Sequence, residues 1–123
     1  MEGAVLIVDD EDYIRRILCF KLERAGYHTL EAASAEAAEA ILESHDVQLL
    51  LLDVALATTT NGFDLAARLR RNARTERLPI ILVTARGFAA DVLRGREVGA
   101  DGYITKPFSA DEVVDRVRAI LGG

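Results

Sequence analysis

Three stretches of this chain are almost solidly apolar: VLIV at 5–8, VQLLLL at 47–52 and IILV at 80–83. A strand with one wet face alternates apolar and polar residues, so unbroken runs of this length point to strands covered on both faces. Two shorter runs accompany them. Residues 103–105 read YIT, and residues 28–32 read HTLEA, weak enough to suit an edge strand.

Between the runs lie amphipathic stretches of about 10 to 15 residues with helical periodicity. Residues 13–25 place Ile14, Ile17, Leu18 and Leu22 on one face, with Gly26 as the C-terminal cap. Ser34 precedes an Ala- and Glu-rich helix that reaches residue 44. Residues 63–72 form a third, with Leu65, Leu69 and the stems of Arg68 and Arg70. Residues 89–98 form a fourth, weakened by Gly95. The fifth opens on Ser109-Ala110-Asp111-Glu112, a capping box in which Ser109 and Glu112 satisfy each other's orphan amides. Val113, Val117, Ile120 and Leu121 give it a core face. Five strand–helix units in alternation predict an α/β fold: a parallel sheet with helices on both faces, joined by right-handed crossovers. In such folds chemistry lies beyond the carboxyl ends of the strands.

Composition narrows the function. The 123 residues suit one domain, 1–123, and the 50% apolar content supplies a core. A net charge of −5 argues against direct nucleic-acid binding as the main activity. Cys19 is the single cysteine and falls in a helical pattern, so an inert, partly buried thiol is expected. No run approaches the roughly 20 apolar residues that span a bilayer, and no basic segment followed by a long apolar run opens the chain. No membrane association is expected, and the expected compartment is the cytoplasm.

The strand ends carry Asp9, Asp10 and Glu11 after the first run, Asp53 after the third, Thr84 after the fourth and Lys106 after the fifth. A parallel sheet brings these distant positions to one edge. Adjacent acids at a helix start also serve the helix dipole. That role leaves their meeting with Asp53, Thr84 and Lys106 unexplained. Several close carboxylates stay ionised together only around a cation, and an all-oxygen donor set suits a hard ion, Mg²⁺ first and Mn²⁺ next. Thirteen of the fifteen basic residues are Arg, so Lys106 before Pro107 stands out as a compact ammonium.

VLIVDDED (5–12), LLLLDV (49–54), ILVTA (81–85) and GADGYITKPF (99–108) together resemble the signature blocks of response-regulator receiver domains. The resemblance covers essentially the whole chain. It implies a flavodoxin-like fold with strand order 2-1-3-4-5 and a phosphoacceptor role in a two-component system or phosphorelay. Asp53 would take a phosphoryl group from a phosphohistidine of a sensor histidine kinase or phosphotransfer protein. Asp10 would bind Mg²⁺ directly and Asp9 mostly through water, while Asp53 and the backbone carbonyl of Ala55 would complete the protein ligands. Lys106 and the metal would neutralise phosphoryl charge, and Thr84 would hydrogen-bond a phosphoryl oxygen. Tyr103 matches the family's switch aromatic, and the bond Lys106-Pro107 its cis peptide. The output surface would be the fourth helix, fifth strand and fifth helix, offered to a downstream protein. Such a domain catalyses its own phosphorylation and dephosphorylation rather than acting as an enzyme on a separate substrate.

The segment VALATTTNGF after Asp53 departs from the family pattern. Ala57 replaces a common proline, Gly62 comes one residue late, and Thr58, Thr59 and Thr60 make a polar loop. Arg86 and Ala55 occupy positions that gate access to the phosphoryl group. Glu112 and Arg116 match two charged positions of a known dimer face, but Gly102 and Val92 stand where their partners would be, which argues against that dimer. A haloacid-dehalogenase-like phosphatase would need Asp-x-Asp after the first strand, where this chain has adjacent acids. A flavodoxin-like binder would need a hydroxyl- or Gly-rich phosphate loop there. A receiver fold acting as an interaction module without phosphorylation is the remaining alternative.

Overall fold

The computed structural model describes residues 3–56, 61–84 and 89–122. Its elements alternate as the apolar runs predict: β1 (Ala4–Val8), α1 (Asp12–Arg24), β2 (Thr29–Ala32), α2 (Ala35–Ser44), β3 (Val47–Asp53), α3 (Gly62–Arg70), β4 (Ile80–Thr84), α4 (Ala89–Glu97), β5 (Gly102–Thr105) and α5 (Ala110–Leu121). The strands are all parallel, in the order β2-β1-β3-β4-β5.

The unbroken apolar runs serve both faces at once, because successive side chains of a strand point to opposite sides. Leu49 and Leu51 of β3 join Val5, Ile7, Ile81, Val83 and Ile104 beneath Leu18 and Leu22 of α1 and Val113 and Val117 of α5. Leu50 and Leu52 join Leu6, Val8, Ile80 and Leu82 beneath α2 and α3, which contribute Ala35, Ala38, Leu65, Ala66 and Leu69. Each fully buried Leu or Ile stabilises by about 1.5–3 kcal/mol relative to exposure. A core of this size does not need the polar residues buried among those described, Asp9, Asp53 and Thr84. Burying carboxylates opposes folding, so they are held there for another reason.

Local chemistry sets the element ends. α1 stops at a Schellman motif: Gly26 N–H donates to Glu23 O at 3.0 Å and Tyr27 N–H to Leu22 O at 3.0 Å, with Gly26 at φ 101°. Ser34 caps α2 through the Ala37 amide, and Ser109 caps α5 through the Glu112 amide.

One expected core position fails. Ile17 is 48% exposed, whereas Leu18, Cys19 and Leu22 are buried. At about 100° per residue, Leu18, Leu22, Arg15 and Cys19 share one arc, while Ile14 lies at its edge and Ile17 beyond it. The inert-thiol expectation holds for Cys19, whose burial pushes its thiol up to about 11. Arg70, whose stem was expected on the apolar face of α3, also donates from its guanidinium to the backbone oxygens of Leu78 at 2.7 Å and Gly99 at 2.8 Å and pairs with Asp101 at 3.1 Å. It fastens the end of α3 to the loops flanking β4 and β5.

Candidate acidic phosphoacceptor site

The carboxyl edge of the sheet gathers the residues selected from the sequence. Asp9 follows β1, and its Oδ1 accepts the Glu11 amide at 2.8 Å. Asp53 closes β3, and its Oδ1 accepts the Ala55 amide at 2.9 Å. These short turns hold both side chains in place by the chain's own backbone. Asp9, Asp10 and Asp53 each offer an oxygen within 4.8 Å of the others. Asp9 and Asp53 are each only 3% exposed, while Asp10 faces solvent.

Lys106, just beyond β5, reaches into this cluster. Its Nζ lies 3.2 Å from Asp53 Oδ2, 3.4 Å from Asp9 Oδ2 and 3.6 Å from Glu11 Oε1. Its own amide donates to the Thr84 carbonyl at 2.7 Å, which ties the start of the loop to β4. The Lys106-Pro107 bond is cis.

Charge in the pocket is unbalanced. Burial pushes Asp9 above the ordinary carboxylate range; the Glu11 amide opposes this and the neighbouring Asp53 adds to it. Burial would lower the Lys106 ammonium, but Asp53 and Asp9 more than offset that and hold it above its ordinary value. Among the described residues one ammonium thus serves several carboxylates, and a second, compact positive charge would relieve the excess. The donor atoms are all oxygens, which fits a hard divalent cation.

Thr84 is the last residue of β4 and is buried. Asp53 pairs in register with Val83, so Thr84 stands one step further along the same edge. Tyr103 pairs with Leu82, and Leu82 and Thr84 share a sheet face. Thr84 and Tyr103 thus belong to the same side of the sheet, the side covered by α3. Tyr103 is half-buried, and its ring lies directly on Gly95 of α4: a Cβ there would meet ring carbon Cε1 at 2.3 Å and the hydroxyl at 2.4 Å. What weakened the fourth helix as a sequence pattern is thus a seat for an aromatic ring.

Gly62, the late glycine, is in contact with the backbone of Asp53. A Cβ at Gly62 would lie 2.4 Å from the Asp53 carbonyl oxygen and 2.6 Å from Val54 Cα. Its amide donates to Val54 O at 3.1 Å, and Asn61 caps α3 through the Asp64 amide. Ala57, the threonines at 58–60, Arg86 and the side chain of Val92 lie outside the described residues. Arg116 donates from Nη1 to the Tyr103 carbonyl at 2.8 Å, so it is engaged within the chain.

Sequence reasoning missed Arg15. Its guanidinium donates to the Asp9 carbonyl and pairs with Asp12 and, at 3.1 Å, with Glu31. The signal was present: an arginine sits inside the arc of α1 that Leu18, Leu22 and Cys19 bury.

A family model described as "Response regulator receiver domain" matches residues 5–118. The chain belongs to the response-regulator receiver family. As a receiver it is 47% identical over 118 residues to the phosphate regulon transcriptional regulatory protein PhoB of Pseudomonas aeruginosa, an alignment that covers 96% of this chain and 51% of PhoB. It is 42% identical over 121 residues to the transcriptional regulatory protein SrrA of Staphylococcus aureus, covering 98% of this chain and 48% of SrrA. The receiver therefore spans about half the length of these relatives. Among solved structures, a putative response regulator from Chloroflexus aurantiacus superimposes with a TM-score of 0.88 at 37% identity, each chain covered in full. The chemotaxis protein CheY4 of Vibrio cholerae gives 0.91 at 26% identity, covering 98% of this receiver and 99% of CheY4. The receiver is a phosphoacceptor of two-component signalling, and its Asp9, Asp10 and Asp53 cluster fits the phosphorylation site. Among the described residues no helix is long and apolar enough to cross a membrane.

Proposed function

We propose that Asp53 is the phosphoacceptor of this receiver, that Asp9, Asp10, Asp53 and the Ala55 carbonyl hold Mg²⁺ (Mn²⁺ as substitute), and that residues 1–123 act as one receiver unit. The observation that carries this reading is the reach of Lys106 to both Asp53 and Asp9 beside three converging carboxylates. When bound, the metal supplies positive charge to the oxygens of the transferring phosphoryl group.

The chain's own residues do the rest. Asp53, fixed by the Ala55 amide, presents a carboxylate oxygen to phosphorus. An O–P bond forms as the donor's N–P bond breaks, and the imidazole leaves with the electron pair. Lys106 stays protonated at neutral pH because the neighbouring carboxylates hold its ammonium, so it can pair with the phosphoryl oxygens as they arrive. Thr84 donates its hydroxyl to one of those oxygens, and Tyr103 follows toward the space it leaves. Phosphorylation adds about 1.5 to 2 negative charges, enough to draw such donors inward. The α4-β5-α5 surface then shifts between two states and meets a downstream protein. The domain catalyses gain and loss of its own phosphoryl group in the cytoplasm.

The donor is a histidine kinase or phosphotransfer protein. Beside the pocket lies a cleft of about 430 Å³ lined by Glu11, Ile14, Ile17, Lys106, Pro107 and Phe108. Tyr13, Ile17 and Phe20 leave an apolar stripe on α1 next to it, 61%, 48% and 57% exposed. Glu11 and Lys106 belong to both pocket and cleft, so a helical surface bearing the phosphohistidine could dock here while its imidazole reaches Asp53.

Intact-mass analysis after incubation with acetyl phosphate and MgCl₂ tests the reading. One added phosphoryl group is expected, lost in Asp53→Asn and with EDTA. An adduct that survives in Asp53→Asn would assign the acceptor elsewhere, and no adduct in the wild type would leave only the interaction module.

A further inference from the structure

The peptide between the two acidic residues of the β1–α1 loop is gripped from behind. Arg15 Nη1 donates to the carbonyl oxygen of Asp9, which belongs to the peptide linking Asp9 to Asp10. Its Nη2 pairs with Asp12 at the start of α1, and its Nε donates to Glu31 Oε1 of β2 at 3.1 Å. The Arg15 side chain is only 12% exposed. Three elements thus hold one planar fork in a single orientation. From the pocket side, the Glu11 amide holds Asp9 Oδ1 at 2.8 Å. Carboxylates that repel one another would otherwise swing this loop open when no cation lies between them.

We propose that Arg15 is a positioning residue for the cation pocket: it fixes the plane of the Asp9–Asp10 peptide, and with it the separation of the two carboxylates. The inference rests on the pocket taking a divalent cation. It makes Arg15 a determinant of Mg²⁺ affinity although its guanidinium holds the Asp9 carbonyl, Asp12 and Glu31 rather than a carboxylate proposed as a ligand.

Charge and geometry predict opposite signs, which makes the idea testable. Arg15 brings a positive charge toward a cation site, so its removal acting through charge alone would tighten Mg²⁺ binding. Loss of the grip loosens the pocket and weakens binding, as loss of an outer partner of a metal ligand generally does, by about tenfold or more. Lysine keeps the charge but lacks the fork, so it separates the two effects.

The experiment is a titration of the full chain with MgCl₂, followed by backbone amide NMR shifts, for wild type, Arg15→Met, Arg15→Lys and Asp10→Asn. Dispersed spectra before metal verify folding, and Arg15→Lys guards against collapse of the Met variant. The expected result is saturable binding in wild type and loss of it in Asp10→Asn, with both Arg15 variants weakened about tenfold. Raising MgCl₂ to saturation should then restore their rate of phosphorylation by acetyl phosphate. Tighter binding in Arg15→Met with no change in Arg15→Lys would overturn the proposal in favour of simple charge. Unchanged affinity in both, with only a lower melting temperature, would reduce Arg15 to a structural clamp. A wild type that shows no saturable binding would remove the metal reading itself and this inference with it.

Discussion

On the β1–β3 side of the acidic pocket the carboxylates are tied to backbone, whereas on the β4–β5 side an aromatic ring rests on the bare backbone of a helix. Asp9 and Asp53 each accept an amide two residues on, and Arg15 grips the loop from outside. The Tyr103 ring lies on Gly95, with Cε1, Cζ and the hydroxyl oxygen nearest. A hydrogen-bonded turn has one good geometry, and leaving it strands polar groups. A ring lying on a glycine can turn without displacing backbone atoms. The fixed side suits bond making, which needs reacting groups held in place. The adjustable side suits a readout with two accessible states.

The largest expected effect comes from disturbing the fixed side. Gly62→Ala would press a methyl group against the Asp53 carbonyl and Val54 Cα, and neither is a side chain that can rotate away. Overpacking of this kind costs about 1–3 kcal/mol. For a domain of this size that lowers the melting temperature by roughly 4 °C per kcal/mol, readable by calorimetry. Phosphorylation by acetyl phosphate should slow as well, because Asp53 itself moves. A variant with wild-type stability and rate would mean that β3 and α3 can part freely, and the contrast between the two sides would collapse.

The same substitution on the adjustable side should read differently. Gly95→Ala also meets atoms under 3 Å away, but they belong to the Tyr103 ring, which can turn. Alanine is favoured over glycine in a helix by about 1 kcal/mol, which offsets part of the crowding. The expected outcome is near-wild-type stability with displaced Tyr103 ring signals in the NMR spectrum and a weakened response of that ring to beryllofluoride. A loss of stability as large as that of Gly62→Ala would show the ring to be fixed rather than mobile.

A smaller effect concerns charge. Asp9 is raised above its ordinary value by burial, so its preference for the proton stabilises the folded state at low pH and fades as pH rises through the raised value. In EDTA, acidification from neutrality toward that value should therefore raise the melting temperature relative to Asp9→Asn. Lys106 contributes in the same window without changing, since its raised value keeps its stabilisation intact until strongly alkaline pH. With MgCl₂ the slope should reverse, because the cation binds the ionised carboxylates. An identical pH profile in wild type and Asp9→Asn would remove Asp9 as the source.

The contrast between the two sides also marks what the sequence could say. The pocket itself was legible because its residues are chemically unusual where they stand: adjacent acids after one apolar run, an acid after another, and a lysine before proline in a chain whose other bases are nearly all arginine. The layered core followed from runs too apolar to have a wet face, and the strand order from the family resemblance. The roles of Gly62 and Gly95 were not legible, since a glycine records only the absence of a side chain and not what fills the space. Arg15 was hidden for another reason. A list of apolar residues omits a buried arginine even when the arc they define passes through it.

Ile17 is where the periodicity misled, and it supplies the smallest expected effect. A stripe read as Ile14, Ile17, Leu18 and Leu22 spans more arc than the sheet covers, and the structure resolves the excess by leaving Ile17 48% exposed beside the cleft. Ile17→Ser should then change stability by no more than about 0.5 kcal/mol, as surface substitutions do. It should leave phosphorylation by acetyl phosphate unchanged, since a small donor does not touch α1. Transfer from a phosphohistidine protein should slow, because that donor would lose apolar area at the mouth of the pocket. A stability loss near that of a buried aliphatic side chain, about 2–5 kcal/mol, would instead turn Ile17 inward. That result would rotate α1 against the sheet, carry Arg15 off the Asp9 carbonyl, and undo the rigidity attributed to this side of the pocket.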